Sequence, residues 1–185
     1  MIELLVHLLL LVAVPPLILG VIARTKAWFA GRRGPPILQP YHDLLRLVRK
    51  GAVYSRTTTP IFAAGAIASV VAPLAAGFIL PLASDHAPLG FEGDVVAFAY
   101  VLALGRFLTM AAALDTGSSF EGMGASREAA FSALAEPALF LVLAVLCLPA
   151  GSPSFESAWK AVSWAAPGLA RAPLLAAAAA LFAII

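Results

Sequence analysis

The chain has 185 residues, 62% of them hydrophobic, with a mean hydropathy of +0.95 and a net charge of only +2. Soluble domains carry roughly 45–50% apolar residues, so the excess excludes a small water-soluble fold and makes lipid the expected solvent. Cys147 is the sole cysteine, which excludes intrachain disulfides and any cysteine-built cluster or zinc site within the chain; it reads as a buried bystander. No metal site and no nucleic-acid partner are expected.

The first apolar run, residues 2–23, has neither a basic lead-in nor a small-x-small cleavage site before Arg24. It therefore reads as a retained transmembrane helix rather than a signal peptide. About 20 apolar residues cross a bilayer as a helix, and the runs 60–82, 95–114 and 129–148 also meet that length. A fifth run starts at residue 173 and reaches Ile185, short of a full span. Ending there would leave a carboxylate and terminal backbone groups in hydrocarbon, so the sequence is expected to be the front portion of a longer protein. The expected class is all-α: a polytopic transmembrane helical bundle forming one membrane domain.

Charge sets the expected orientation. Between the first two spans lie Arg24, Lys26, Arg32, Arg33, Arg46, Arg49, Lys50 and Arg56, and Arg127 lies between the third and fourth. The other side has only Lys160 and Arg171 as bases, and its short loop holds Asp85, Glu92 and Asp94. The positive-inside rule places segments 24–59 and 115–128 in the cytoplasm and the N-terminus outside.

Within the first basic segment, Ile37, Leu38, Tyr41, Leu44, Leu45 and Val48 recur at helical spacing, with His42, Asp43, Arg46, Arg49 and Lys50 mostly off that stripe. Pro40 suits a helix start and Gly51 a stop. The spacing predicts an amphipathic helix over 37–50 on the cytoplasmic membrane surface, either held to anionic lipid or serving as a platform for a soluble partner. "GRRGPP" at 31–36 reads as a stiff charged turn before it.

Arg106 and Glu136 lie inside the third and fourth spans. Counted from the span ends at 114 and 129, both sit about 12 Å deep from the same side, so they are expected to face one another. A lone charge in lipid costs at least about 2.5–3.5 kcal/mol; a salt bridge or a hydrated ion path would offset it. Asp115, Glu121, Arg127 and Glu128 surround the connecting segment "LDTGSSFEGMGASRE", read as a glycine-rich loop in which Ser126 caps the fourth span. Together these charges suggest a wet funnel leading towards Glu136.

Two stretches, "RRGPPILQPYHDLLRLVRK" (32–50) and "GRFLTMAAALDTGSSFEGMGASREAAFSALAEP" (105–137), resemble the membrane-anchor subunit of respiratory complex I, known as NADH dehydrogenase subunit 1, and its hydrogenase relatives. The similarity is strongest to the formate hydrogenlyase and hydrogenase-4 branch. The resemblance implies about eight transmembrane helices and no redox centre or catalytic site in this chain. It implies partners too: a nickel–iron hydrogenase large subunit and an iron–sulfur small subunit on the cytoplasmic side, with antiporter-like subunits beside it in a bacterial or archaeal cell membrane. Carried over by position, Arg127 and Glu136 match an Arg and a Glu nine residues apart, Asp43 an acidic residue four after Gln39, and Arg33, Gly34 and Pro35 an "R-GP" turn. The implied docking set is Arg32, Arg33, Gly34, Pro35, Gln39, Asp43, Arg46, Arg49 and Lys50. Lys50 followed by Gly51, where quinone-reducing members have "KE", weakens the alternative of a quinone-chamber subunit. A secondary transporter is a third reading, but no internal repeat supports it.

Overall fold

The computed structural model describes residues 2–82, 84, 86–164, 176 and 179. Asp85, Arg171 and the run at 173–185, apart from 176 and 179, lie outside the described residues. The helices in chain order are α1 (Ile2–Phe29), α2 (Gln39–Val48), α3 (Pro60–Ile79), α4 (Asp94–Asp115), α5 (Ser119–Cys147) and α6 (Phe155–Trp164), with a 3₁₀ turn at Leu148–Ala150; no strand occurs among the described residues. Four of them, α1, α3, α4 and α5, are long and apolar enough to cross a membrane. Their large apolar side chains are widely exposed, among them Leu9, Leu19, Ile67, Phe107, Leu134 and Leu141. Water would not tolerate so continuous an apolar surface; lipid does.

Contacts divide the chain after Tyr54 into two units. In the first, α1 runs six residues past the apolar stretch at 2–23, because helical hydrogen bonding does not stop where hydropathy does. It passes through Pro15 and Pro16, a tolerance common in membrane helices. Gly31, at φ +68°, ends it: the Arg32 amide donates to the Ala27 carbonyl and the Gly31 amide to that of Trp28, the paired bonds of a left-handed C-terminal cap. The chain then doubles back closely. A Cβ on Gly34 would lie 2.8 Å from that of Ala27, which accounts for glycine in "GRRGPP".

The amphipathic helix forms as α2, shorter than 37–50 because Ile37 and Leu38 belong to the turn before it. Gln39 and Pro40 open it. The Tyr41 hydroxyl donates to the Ala13 carbonyl and so pins α2 to α1. None of its residues is buried; Leu44, Leu45, Leu47 and Val48 stay exposed, as expected of a helix at a membrane or partner surface.

In the second unit, α3 packs on α4 through small residues, the usual device of membrane helices without a hydrophobic drive between them. A Cβ on Gly65 would meet Ala112 and lie 2.7 Å from the Leu108 carbonyl oxygen, and one on Gly105 would lie 2.6 Å from the Cβ of Ala72. α4 packs on α5 through Val95, Ala99 and Leu143, with Phe98, Leu139 and Phe140 around them. At that end Asp94 is fully buried. Its carboxylate accepts from the Phe155 amide at 2.9 Å and the Ser154 hydroxyl at 3.3 Å, so it ties the starts of α4 and α6. Hydropathy does not reveal α6. Glu156 accepts from Lys160 and pairs with His86, both at 2.6 Å; chiefly the Lys160 hydrogen bond, with His86 adding to it, holds its carboxyl below the usual range.

The α3–α4 contact carries the first expected outcome. Gly105→Leu overfills a tight helix pair and is expected to cost about 1–3 kcal/mol, read as a lower thermal denaturation midpoint in detergent. Gly51→Leu, at a site with nothing within 4 Å of an added Cβ, is expected to leave the midpoint unchanged.

Candidate functional site

The site forms where α3, α4 and the first half of α5 meet. A cleft of about 580 Å³ opens there. Its walls are mostly small or apolar, including Ala68, Ala72, Leu102, Gly105, Met110 and Ala125, and its charged members are Arg106, Glu121 and Glu128. Glu121 stands in the first turn of α5, where the helix dipole favours an acid.

The connecting segment is not the loop the sequence suggests. α5 begins at Ser119, ten residues before the expected span at 129, and Ser118 takes the N-cap position. Ser126 lies inside the helix and donates to the Met123 carbonyl, so it caps nothing. Gly122 and Gly124 are helical with open space around them, while Gly117, at φ +68°, makes the turn between α4 and α5. Gly124, which reads as a loop residue, here keeps the cleft wall low.

This shift places Glu121 and Glu128 within α5. Arg106 lies nine residues before the end of α4 (106 to 115) and Glu128 nine after the start of α5 (119 to 128). Arg106, Glu121 and Glu128 thereby line one cleft. Glu136, expected opposite Arg106, lies two turns beyond Glu128, half-buried and outside the cleft lining. Among the described residues none of Arg106, Glu121, Arg127, Glu128 and Glu136 forms an ion pair. Of the two ways of offsetting these charges, a salt bridge between Arg106 and Glu136 is not observed among the described residues. Arg127 is exposed and does not line the cleft.

Asp115, the last residue of α4, reaches the start of α3. Its carboxylate accepts from the Thr59 amide and the Thr59 hydroxyl, each at 2.7 Å, and the same hydroxyl accepts from the Ile61 amide. Asp115 thus clamps the N-terminus of α3, satisfying donors that a helix start leaves open.

In the first unit, Arg32, Arg33, Pro35, Arg46, Arg49 and Lys50 are exposed, and Gly34, Gln39 and Asp43 half-buried; the Gln39 amide donates to Asp43 at 3.0 Å. Among the described residues no three His, Cys, Asp or Glu side chains gather as a metal ion would need.

Sequence reasoning missed Ser132. It is 6% exposed and its hydroxyl has no hydrogen-bond partner among the described residues, a state that costs about 1–3 kcal/mol if left unfilled. One serine in an apolar run gives no signal in composition or periodicity.

The profile of the family described as NADH dehydrogenase matches residues 2–185. The chain belongs to that family, the complex I subunit 1 family. It is 36% identical over 160 residues to hydrogenase-4 component C of Escherichia coli (strain K12), a match covering 85% of this chain and 51% of that protein. It is 35% identical over 153 residues to formate hydrogenlyase subunit 4 of the same organism, covering 83% of this chain and 50% of the relative. The chain spans about half the length of the curated relatives it matches. The family assignment agrees with the resemblance carried by residues 32–50 and 105–137.

The clamp at Asp115 gives a second expected outcome. Asp115→Ala is expected to lower stability by about 0.5–2 kcal/mol, the range of a lost helix cap, and to speed proteolysis between residues 51 and 59. Asp115→Asn, which keeps one acceptor oxygen, is expected to lose less in the same assay.

Proposed function

We propose that this protein is the membrane subunit of a complex I-like, energy-converting hydrogenase or formate hydrogenlyase-type complex. In this reading it anchors the soluble hydrogenase arm and couples electron transfer there to movement of protons or sodium ions across the cell membrane. The N-terminus lies outside, so α2 and the turn between α4 and α5 face the cytoplasm. The nickel–iron centre and the iron–sulfur clusters belong to the partner subunits. The exposed bases of α2 and of the turn before it, Arg32, Arg33, Arg46, Arg49 and Lys50, provide the docking surface; antiporter-like subunits adjoin within the membrane.

The observation that carries the coupling role is the open cleft holding Arg106, Glu121 and Glu128, whose α5 wall continues to Glu136. Ionisable groups within membrane helices mark ion paths when they face water-filled space rather than lipid. An unpaired Arg106 in the same cleft as two carboxylates attracts compensating charge and leaves neither acid locked in a bridge. Glu136, deeper and half-buried, is the next acceptor along α5. The similarity to hydrogenase-4 component C and formate hydrogenlyase subunit 4 supports the choice of complex.

Glu136→Gln in the assembled complex is expected to leave hydrogenase turnover in detergent unchanged and to abolish proton or sodium uptake into vesicles. Uptake at the wild-type rate would leave the anchoring role alone.

A further inference from the structure

A second cavity, of about 400 Å³, lies in the first unit between α1 and the turn that doubles back on it. Its lining is Val21, Arg24, Thr25, Trp28 and Ile37. Residues 21, 24, 25 and 28 stand three or four apart, so they share one face of α1. Two glycines let the turn form the opposite wall. A Cβ on Gly20 would collide with the Ile37 carbonyl, and one on Gly34 would lie 3.1 Å from the Cα of Arg24. The turn therefore rests on α1 backbone against backbone.

The donors in this cavity are unused. Neither the Arg24 guanidinium nor the Trp28 indole N–H has a hydrogen-bond or ion-pair partner among the described residues. The Thr25 hydroxyl already donates to the Val21 carbonyl at 2.8 Å and offers only lone pairs. No Asp or Glu occurs between residues 4 and 42, while Lys26, Arg32 and Arg33 follow Arg24 closely. The complement of such a site is an anion.

Depth selects the kind of anion. The apolar run of α1 stops at residue 23, so Arg24 stands where hydrocarbon gives way to headgroups. Just beyond it Trp28 and Phe29, 75% and 79% exposed, pack edge to face, the aromatic signature of a membrane–water boundary. Towards the hydrocarbon, Leu17 continues the face of Val21, and both are exposed. Basic pockets beside membrane helices take lipid headgroups, and this one opens onto an apolar strip that suits an acyl chain.

We propose that the cavity between α1 and the returning turn binds an anionic glycerophospholipid, with Arg24 and the Trp28 indole N–H donating to its phosphate and an acyl chain lying along Val21 and Leu17. The site is independent of the coupling role and of which ion moves. The bound lipid would brace the turn that carries Arg32 and Arg33 against α1.

The test reconstitutes the assembled complex in vesicles of equal parts phosphatidylcholine and phosphatidylglycerol, with a photoreactive diazirine on one lipid or the other, and maps labelled peptides. Photoreactive phosphatidylglycerol is expected to label residues 17–28 more than photoreactive phosphatidylcholine does. Arg24→Gln is expected to lower that labelling about fivefold, the scale of one base at an anionic surface, and Arg24→Lys to lose less. Lys26→Gln removes the same charge at a residue that does not line the cavity and should leave the labelling near wild type. Equal labelling by the two lipids, wild-type labelling in Arg24→Gln, or equal losses in Arg24→Gln and Lys26→Gln would overturn the site, the last showing diffuse attraction only. Should Arg24→Gln fail to assemble, competition on the wild-type complex decides. Displacement of the label by dioleoylphosphatidylglycerol alone supports the lipid site, and displacement by inorganic phosphate, or by neither, overturns it.

Discussion

A charge within a membrane span must be paired, hydrated or absent. At the centre of a membrane helix it costs at least about 2.5–3.5 kcal/mol, and Arg106 on α4 meets that cost without an ion pair among the described residues. Hydration remains, and in the proposed reading the cleft beside Arg106 provides it. Small residues on α3 and α4 bring those helices close, and the low wall at Gly124 and Ala125 on α5 leaves a gap in front of the guanidinium. Packing and wetting are thus two results of one choice of residues. The glycines and alanines that fasten α3 to α4 also keep the space beside them open.

Register does the rest. With α5 starting at Ser119 rather than near 129, Glu128 is a helical residue that shares the cleft lining with Arg106, while Glu136, two turns further along α5, stays outside it. The acids then form a series along one helix, instead of one acid answering one base. A series suits transfer and a locked pair does not, because a carboxylate held in a bridge has little reason to release it. Asp115 stands apart from the series. Its two hydrogen bonds to Thr59 make it a brace for the helix ends that frame the cleft, which explains an acid at the mouth without requiring it to carry a proton.

Much of this was readable in the sequence, for identifiable reasons. Hydropathy located α1, α3, α4 and the apolar part of α5, and the 3.6-residue period located α2, because both signals are local. The start of α5 was not legible: Gly117, Gly122 and Gly124 look alike in sequence, yet only Gly117 breaks the helix. The clamp between Asp115 and Thr59 joins residues 56 apart, and the burial of Asp94 depends on the start of α6. Neither leaves a local trace. The orphaned hydroxyl of Ser132 is defined by what surrounds it, so only coordinates disclose it.

Water in the cleft is the claim on which the coupling role depends, and side-by-side thiol labelling tests it most directly. Leu102 lines the cleft, and Leu104, two residues away at nearly the same depth, is 57% exposed on the outer surface of α4. With Cys147 replaced by alanine, a cysteine at 102 is expected to react with a small membrane-impermeant thiol reagent added on the side of the α4–α5 turn, while one at 104, facing lipid, stays unreacted. An inert cysteine at 102, or equal rates at both positions, would contradict a wet interior and with it the path to Glu136.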